Sequence, residues 1–167
     1  MEEERLEQAV AQLLRSSHLT VATAESCTAG AVMTRLAAVP GASAYLRGGL
    51  VAYATDVKAG VLGLERRLLE QHGPVSIPTT MAMARRAWQL FHADIGLGVT
   101  CVAGPDPQGG RKVGTTIWAL ATREGHDRSG RLELTGDRPA VQRRAAAFVL
   151  EVLRRHLSAP GRSGGGD

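Results

Sequence analysis

Five short apolar runs, separated by stretches of helical periodicity, constrain the fold of this chain more than any other feature of its sequence. LTVATAES, GGLVAYAT, DIGLGVTCVAG and TTIWALATR are nearly unbroken, and RLELTG is a shorter fifth. A strand that is apolar on both faces needs cover on both faces. The intervening segments supply it. Residues 3–16 place Leu6, Val10, Leu13 and Leu14 at helical spacing. CTAGAVMTRLAAV offers Val32, Met33, Leu36 and Val39 and stops at the VPG of residues 39–41. A short helix is predicted over 56–63, ending at Gly63, and ERRLLEQHG predicts another closed by Gly73. A longer helix over 78–92 begins at Pro78 with Met81, Ala84, Trp88 and Phe91 on one side, and a last helix spans 138–157. The order α-β-α-β-α-α-α-β-β-β-α predicts an α/β fold, a central sheet with helices on both faces. The last three strands follow one another with no helix between, so the sheet is expected to be mixed.

Composition narrows the class. The chain has 167 residues, 44% hydrophobic and 22% charged, which fits one ordered domain over 1–157 and a low-complexity, flexible tail, SAPGRSGGGD, over 158–167. No apolar run reaches membrane-span length. The opening MEEERLEQAV is acidic where a secretory signal would be basic, and no apolar stretch follows, so a cytoplasmic protein is expected. Two cysteines make neither a disulfide framework nor a CxxC pair. The net charge of +4 hints at an anionic partner but reads first as a solvated basic surface. Aromatics are only 4%, too few for stacking platforms, and no helix-turn-helix or zinc-finger pattern is present, so no nucleic-acid partner is expected. The five histidines are scattered without ligand spacing, and no metal site is expected.

Three places can carry chemistry. At AESCTAG, residues 24–30, a strand runs into a helix predicted to begin at Ser26, Cys27 or Thr28. Free N–H groups at such a junction can stabilise an oxyanion beside a nucleophile, although Ser-Cys-Thr also reads as a plain N-cap. Cys27 is either a rival nucleophile or a small buried filler. Lys58 is the second place. Of 20 basic residues 18 are arginine, and only Lys58 and Lys112 are lysine. A desolvated lysine can give up its proton and an arginine effectively cannot. Lys58 is therefore a candidate base, or a surface lysine. A serine and a neutral lysine together suffice for nucleophilic acyl transfer, and Tyr53 can orient the lysine or relay a proton, or be a buried strand tyrosine. The third place is the loop GPDPQGGRKVGTT, residues 104–116, rich in glycine and carrying Arg111 and Lys112. It can cradle a phosphate or be an exposed hairpin. The arginines of the last helix read as a solvated face, with Arg138 and Arg144 as candidate exceptions.

AESCTAG, VPGASAYLRGGLVAYATDVKAGVLG, HGPVS, DIGLGVTCVAGP, VGTT and GDR together resemble the C-terminal domain of the CinA family, the nicotinamide-nucleotide amidohydrolases. The resemblance runs from about residue 5 to 157. It implies a three-layer α/β/α sandwich, assembly into homo-oligomers, and a stand-alone form of a domain that longer members join to a molybdopterin-binding-like one. It implies hydrolysis of the carboxamide of nicotinamide mononucleotide to nicotinate mononucleotide and ammonia, with no metal and no cofactor. The family's serine, tyrosine and lysine match Ser26, Tyr53 and Lys58.

On that resemblance Lys58 deprotonates Ser26, the backbone of Cys27 and Thr28 holds the oxyanion, and Lys58 or Tyr53 protonates the leaving amine. The phosphate is expected near the loop from Gly104 to Thr115, with Arg144 foremost, Arg111 behind it, and Thr100 and Thr115 beside them. The chain departs from the family pattern at three points. Ala29 and Cys101 each stand where the family usually has glycine, and Asp106 with Pro107 replaces loop glycines. Proline removes an N–H donor and aspartate adds negative charge. Two alternatives stand beside the deamidase: a non-catalytic nucleotide-binding module of the competence or damage-inducible kind, and an amidase for another small carboxamide.

Overall fold

The structure is a computed structural model that describes residues 2–159. Its elements are α1 (Glu2–Ser16), β1 (Val21–Glu25), α2 (Ala31–Ala37), β2 (Leu46–Val51), α3 (Thr55–Gly60), α4 (Arg66–His72), α5 (Ile77–Phe91), β3 (Ile95–Cys101), β4 (Thr115–Thr122), β5 (Arg128–Glu133) and α6 (Arg138–Leu157), with one 3₁₀ turn at Ala42–Ala44. This is the order the apolar runs predict. Most of the expected flexible tail lies outside the described residues. Among the described residues no helix is long and apolar enough to cross a membrane.

The strands form one sheet in the order β2-β1-β3-β4-β5. β1 is parallel to β2 and β3, whereas β4 and β5 run antiparallel, so the sheet is mixed as expected. The helices α3 to α5 return the chain for a parallel pairing, and the loop after β3 reverses it. Central strands β1 and β3 are buried at every residue, while β2 and β5 at the edges are not.

Strand alternation sorts the side chains into two layers. Ile95, Leu97, Val99 and Cys101 of β3 join Val10, Leu14, Leu150 and Leu153 of α1 and α6 on one face. Ala22 and Ala24 of β1 pack with Met83 and Ala87 of α5 and with Leu62, Leu64 and Leu69 on the other. The result is an α/β/α sandwich.

The buried stripe of α5 is Thr79, Thr80, Met83, Ala84 and Ala87. Of the expected stripe of Met81, Ala84, Trp88 and Phe91, only Ala84 is fully buried. The reason lies across the interface. A Cβ on Gly96 would stand 1.9 Å from the Ala84 carbonyl oxygen, and one on Gly98 would stand 2.4 Å from that of Thr80. The glycines let the helix backbone lie directly on β3, so its small residues face the sheet and its large ones flank the contact.

Gly96→Ala forces two backbones apart and is expected to cost about 1–3 kcal/mol, or folding altogether. Gly60→Ala, in α3 with nothing within 4 Å of the new methyl, is expected to be neutral or to stabilise by roughly 0.5–1 kcal/mol. Urea midpoints of the two variants against the parent protein check this.

Candidate active site

A parallel sheet whose first strand is flanked on both sides opens a crevice at its carboxyl ends. Here that crevice is a cleft of about 550 Å³, its mouth included, lined among others by Ser26, Tyr53, Lys58, Gly104, Asp106 and Arg138. Ser26 follows the last residue of β1, and the helix expected to start there begins only at Ala31. Residues 26–30 form a tight turn instead.

The cause of that turn is Glu25, which sequence reasoning missed. Its carboxylate, 1% exposed, accepts the Thr28 hydroxyl at 2.6 Å and the backbone N–H groups of Gly30, Val32 and Met33 at 3.0, 3.1 and 2.8 Å. It takes up the first donors of α2 and places a negative charge at the positive end of that helix. A lone carboxylate closing an apolar strand was the available signal. The Ser26 N–H is committed to the Val99 carbonyl at 3.1 Å. The N–H groups of Cys27 and Thr28, both buried residues, have no acceptor among the described residues. Ala29 adopts φ +50°, the left-handed conformation that the family's glycine takes freely and alanine at roughly 1–2 kcal/mol.

Lys58 projects from α3 and is 2% exposed. Its Nζ lies 3.0 Å from Ser26 Oγ, 2.7 Å from the Ala52 carbonyl and 3.0 Å from the Tyr53 carbonyl. No carboxylate pairs with it among the described residues. Burial alone pulls its pKa down to about 8. Nζ donates to all three oxygens; loss of one proton leaves two N–H groups for the carbonyls and a lone pair for the serine hydroxyl.

Tyr53 lies beyond β2 and is 52% exposed, so it is no buried strand tyrosine. Its carbonyl orients Lys58, while its hydroxyl accepts from Arg138 at the cleft wall. Arg138 also donates to the Gly104 carbonyl at 2.6 Å. One turn further along α6, Gln142 Nε2 donates to the Cys27 carbonyl at 2.7 Å. Residues 138 and 142 share a helix face. Arg144 falls on another, about 240° round from Arg138, and bonds Thr135.

Besides Thr28 of the expected oxyanion pair, four of the expected ligand-contacting residues do not line the cleft. Arg144 is the first. Thr100 faces α5 and pairs with Thr80 at 2.7 Å. Thr115 donates across the strand pair to Glu133 at 3.1 Å. Arg111 sits in a small bridge with Gln108 at the loop tip. Gly104 does line the cleft, with Asp106 and Gln108 of the same loop and with Thr55, which sequence reasoning did not single out.

Cys27 and Cys101 are joined in a disulfide, with their Cα atoms 5.5 Å apart. This corrects the reading of Cys27 as a free thiol, whether nucleophile or filler. The bridge spans 74 residues of sequence, which is why no local spacing announced it.

Residues 3–157 match the family model of the CinA C-terminal domain. The chain belongs to the CinA family. It is 45% identical over 157 residues to a CinA-like protein of Frankia casuarinae, covering 93% of this chain and 36% of that one. A CinA-like protein of Gemmatimonas aurantiaca is 43% identical over 137 residues, covering 82% and 32%. The chain thus spans about a third of the length of these relatives. A crystal structure of a competence-damaged protein (CinA) superfamily member from Klebsiella pneumoniae superposes with a TM-score of 0.91 at 30% identity, covering 95% of this chain and 99% of that one. The competence/damage inducible protein of Agrobacterium tumefaciens gives 0.90 at 28%, covering 95% and 97%.

Because Glu25 satisfies four donors from inside the protein, Glu25→Ala is expected to lose at least about 3 kcal/mol of stability. Denaturant unfolding measures the loss, and a change below about 1 kcal/mol would refute the anchoring role.

Proposed function

We propose that this CinA-family domain is an amidohydrolase that releases ammonia from the carboxamide of nicotinamide mononucleotide through an acyl-enzyme on Ser26. The observation that carries this reading is the neutral-prone Lys58 amine 3.0 Å from the Ser26 hydroxyl inside a cleft. Ser26 Oγ attacks the carboxamide carbon while its proton passes to Lys58 Nζ. The oxyanion that forms is held by the N–H groups of Cys27 and Thr28, which no protein acceptor occupies. Lys58 returns the proton to the departing nitrogen, the C–N bond breaks and ammonia leaves. Water then attacks the acyl carbon, Lys58 takes its proton, and the proton goes back to Ser26 as nicotinate mononucleotide departs. The Tyr53 hydroxyl, engaged by Arg138, is assigned to the cleft wall, which leaves the protonation step to Lys58.

Arg138 takes the place expected for Arg144 as the cation facing the substrate phosphate. Asp106 in the same lining supports a second reading, an amidase for a carboxamide without phosphate, because its charge opposes an anion.

Ser26→Ala and Lys58→Arg are each expected to lower ammonia release by about a thousandfold or more, since arginine keeps the charge but cannot act as a base. The depressed Lys58 pKa sets the pH profile. Below about 8 the amine is protonated and idle, so kcat/KM is expected to rise about tenfold per pH unit and level off above 8. A flat profile from pH 6 to 9 would remove Lys58 as the base.

Arg138→Ala is expected to raise KM for the nucleotide by about tenfold and leave KM for the nucleoside lacking the phosphate within twofold. Equal turnover of nucleotide and nucleoside by the parent protein would favour the second reading. Tight binding of the nucleotide with no turnover, undisturbed by Lys58→Arg, would favour a binding module.

A further inference from the structure

The disulfide lies where it can govern the chemistry. Cys27 directly follows Ser26, and Cys101 is the last residue of the adjacent strand β3, after which Val102, Ala103 and Gly104 continue the cleft lining. The bond therefore ties the nucleophile turn to the end of the neighbouring strand, from which the loop that lines the cleft continues. Both cysteines line that cleft. The other restraints on the turn are hydrogen bonds: Ser26 to Val99, Gln142 to the Cys27 carbonyl, and the Glu25 carboxylate to Thr28 and Gly30. None of them holds the Cys27 side chain.

We propose that the Cys27–Cys101 disulfide is a positioning bond and a thiol-reactive control site: closed, it fixes the oxyanion-binding N–H groups beside Ser26, and opened by a small dithiol it releases them and slows acylation. The inference rests on the assignment of Ser26 as nucleophile made above. In the opening step a reductant thiolate attacks one of the two sulfurs, forming a mixed disulfide and freeing the other cysteine as a thiolate. The second reductant thiol then attacks the mixed disulfide, closes the reductant's own ring and frees the second cysteine. Two electrons and two protons pass to the protein, and the dithiol leaves as a cyclic disulfide. Two thiols need more room than one disulfide. Cys27 and Cys101 are only 4% and 6% exposed, so the turn must yield. Donors displaced by about 1 Å from an oxyanion lose most of their effect, on the order of a hundredfold in rate.

The test uses the whole chain, oxidised, then reduced with dithiothreitol, then reoxidised. Maleimide labelling counted by mass spectrometry gives the thiols. Two rates are followed: ammonia release from nicotinamide mononucleotide, and labelling of Ser26 by a fluorophosphonate, which needs no natural substrate. The expected result is zero thiols rising to two, a fall of at least tenfold in both kcat and Ser26 labelling with KM within twofold, and recovery on reoxidation. Cys101→Gly and Cys27→Ser should each show rates that dithiothreitol does not change. Equal labelling rates in the oxidised and reduced protein would overturn the proposal, as would two free thiols in the oxidised sample. Loss of far-ultraviolet circular dichroism on reduction, which would make the bond merely structural, would do the same. Redox-dependent labelling without ammonia release would sink the substrate assignment and leave this inference standing. Ammonia release indifferent to reduction would do the reverse. No Ser26 labelling in either state would end both.

Discussion

A single buried amine organises the functional end of this molecule. Lys58 has been taken out of water without a carboxylate to compensate, and its ammonium form is penalised accordingly. What it receives in place of water is directional: two backbone carbonyls and one serine hydroxyl. All three can accept from the ammonium, and the hydroxyl can instead donate once the amine has lost a proton. The same burial that penalises the cation brings loss of its proton down to about pH 8. The two carbonyls come from Ala52 and Tyr53, just past the end of β2, so the sheet itself sets the amine's position.

The turn that carries the serine is held by a buried carboxylate. Glu25 lies beneath the turn and consumes the donors that a helix start leaves open, and the N–H groups of Cys27 and Thr28 remain over. The turn is therefore not simply a helix end aimed at a ligand. It is a loop pinned by a carboxylate, by Gln142 of α6 and by a disulfide. A preorganised donor pair needs such support, because donors that must reorient lose much of their value to a developing charge. The contact between α5 and the glycines of β3 sets the framework on the other face of the sheet, where small residues allow two backbones to meet.

The fold was legible because burial on both faces of a strand and on one face of a helix writes itself locally, in periods of two and of 3.6 residues. The order of elements, the mixed sheet and the bounds of α6 all follow from such patterns. The stripe on α5 was not legible in detail, since which residues face the sheet depends on the glycines of another element. In the site, Ser26 stood out at a strand end and Lys58 in an arginine background, and the resemblance to the CinA pattern joined them. Arg138 was visible only as a candidate exception on a basic helix, and Arg144 displaced it in the sequence reading because nothing local tells which face of α6 turns to the cleft.

The sequence by itself determined what is carried by neighbours along the chain: the alternation of strands and helices, the serine at a strand end, the scarcity of lysine and the family pattern. The tertiary structure alone decided what depends on residues distant in sequence meeting in space. That includes the depressed proton affinity of Lys58, the capping by Glu25, the pairing of Cys27 with Cys101, the choice of Arg138 over Arg144 for the cleft wall, and the removal of Thr100 and Thr115 from it. The physical reason is common to all of them. Desolvation, hydrogen-bond geometry and covalent pairing are properties of a surrounding, and a surrounding exists only once the sheet has brought its strand ends together.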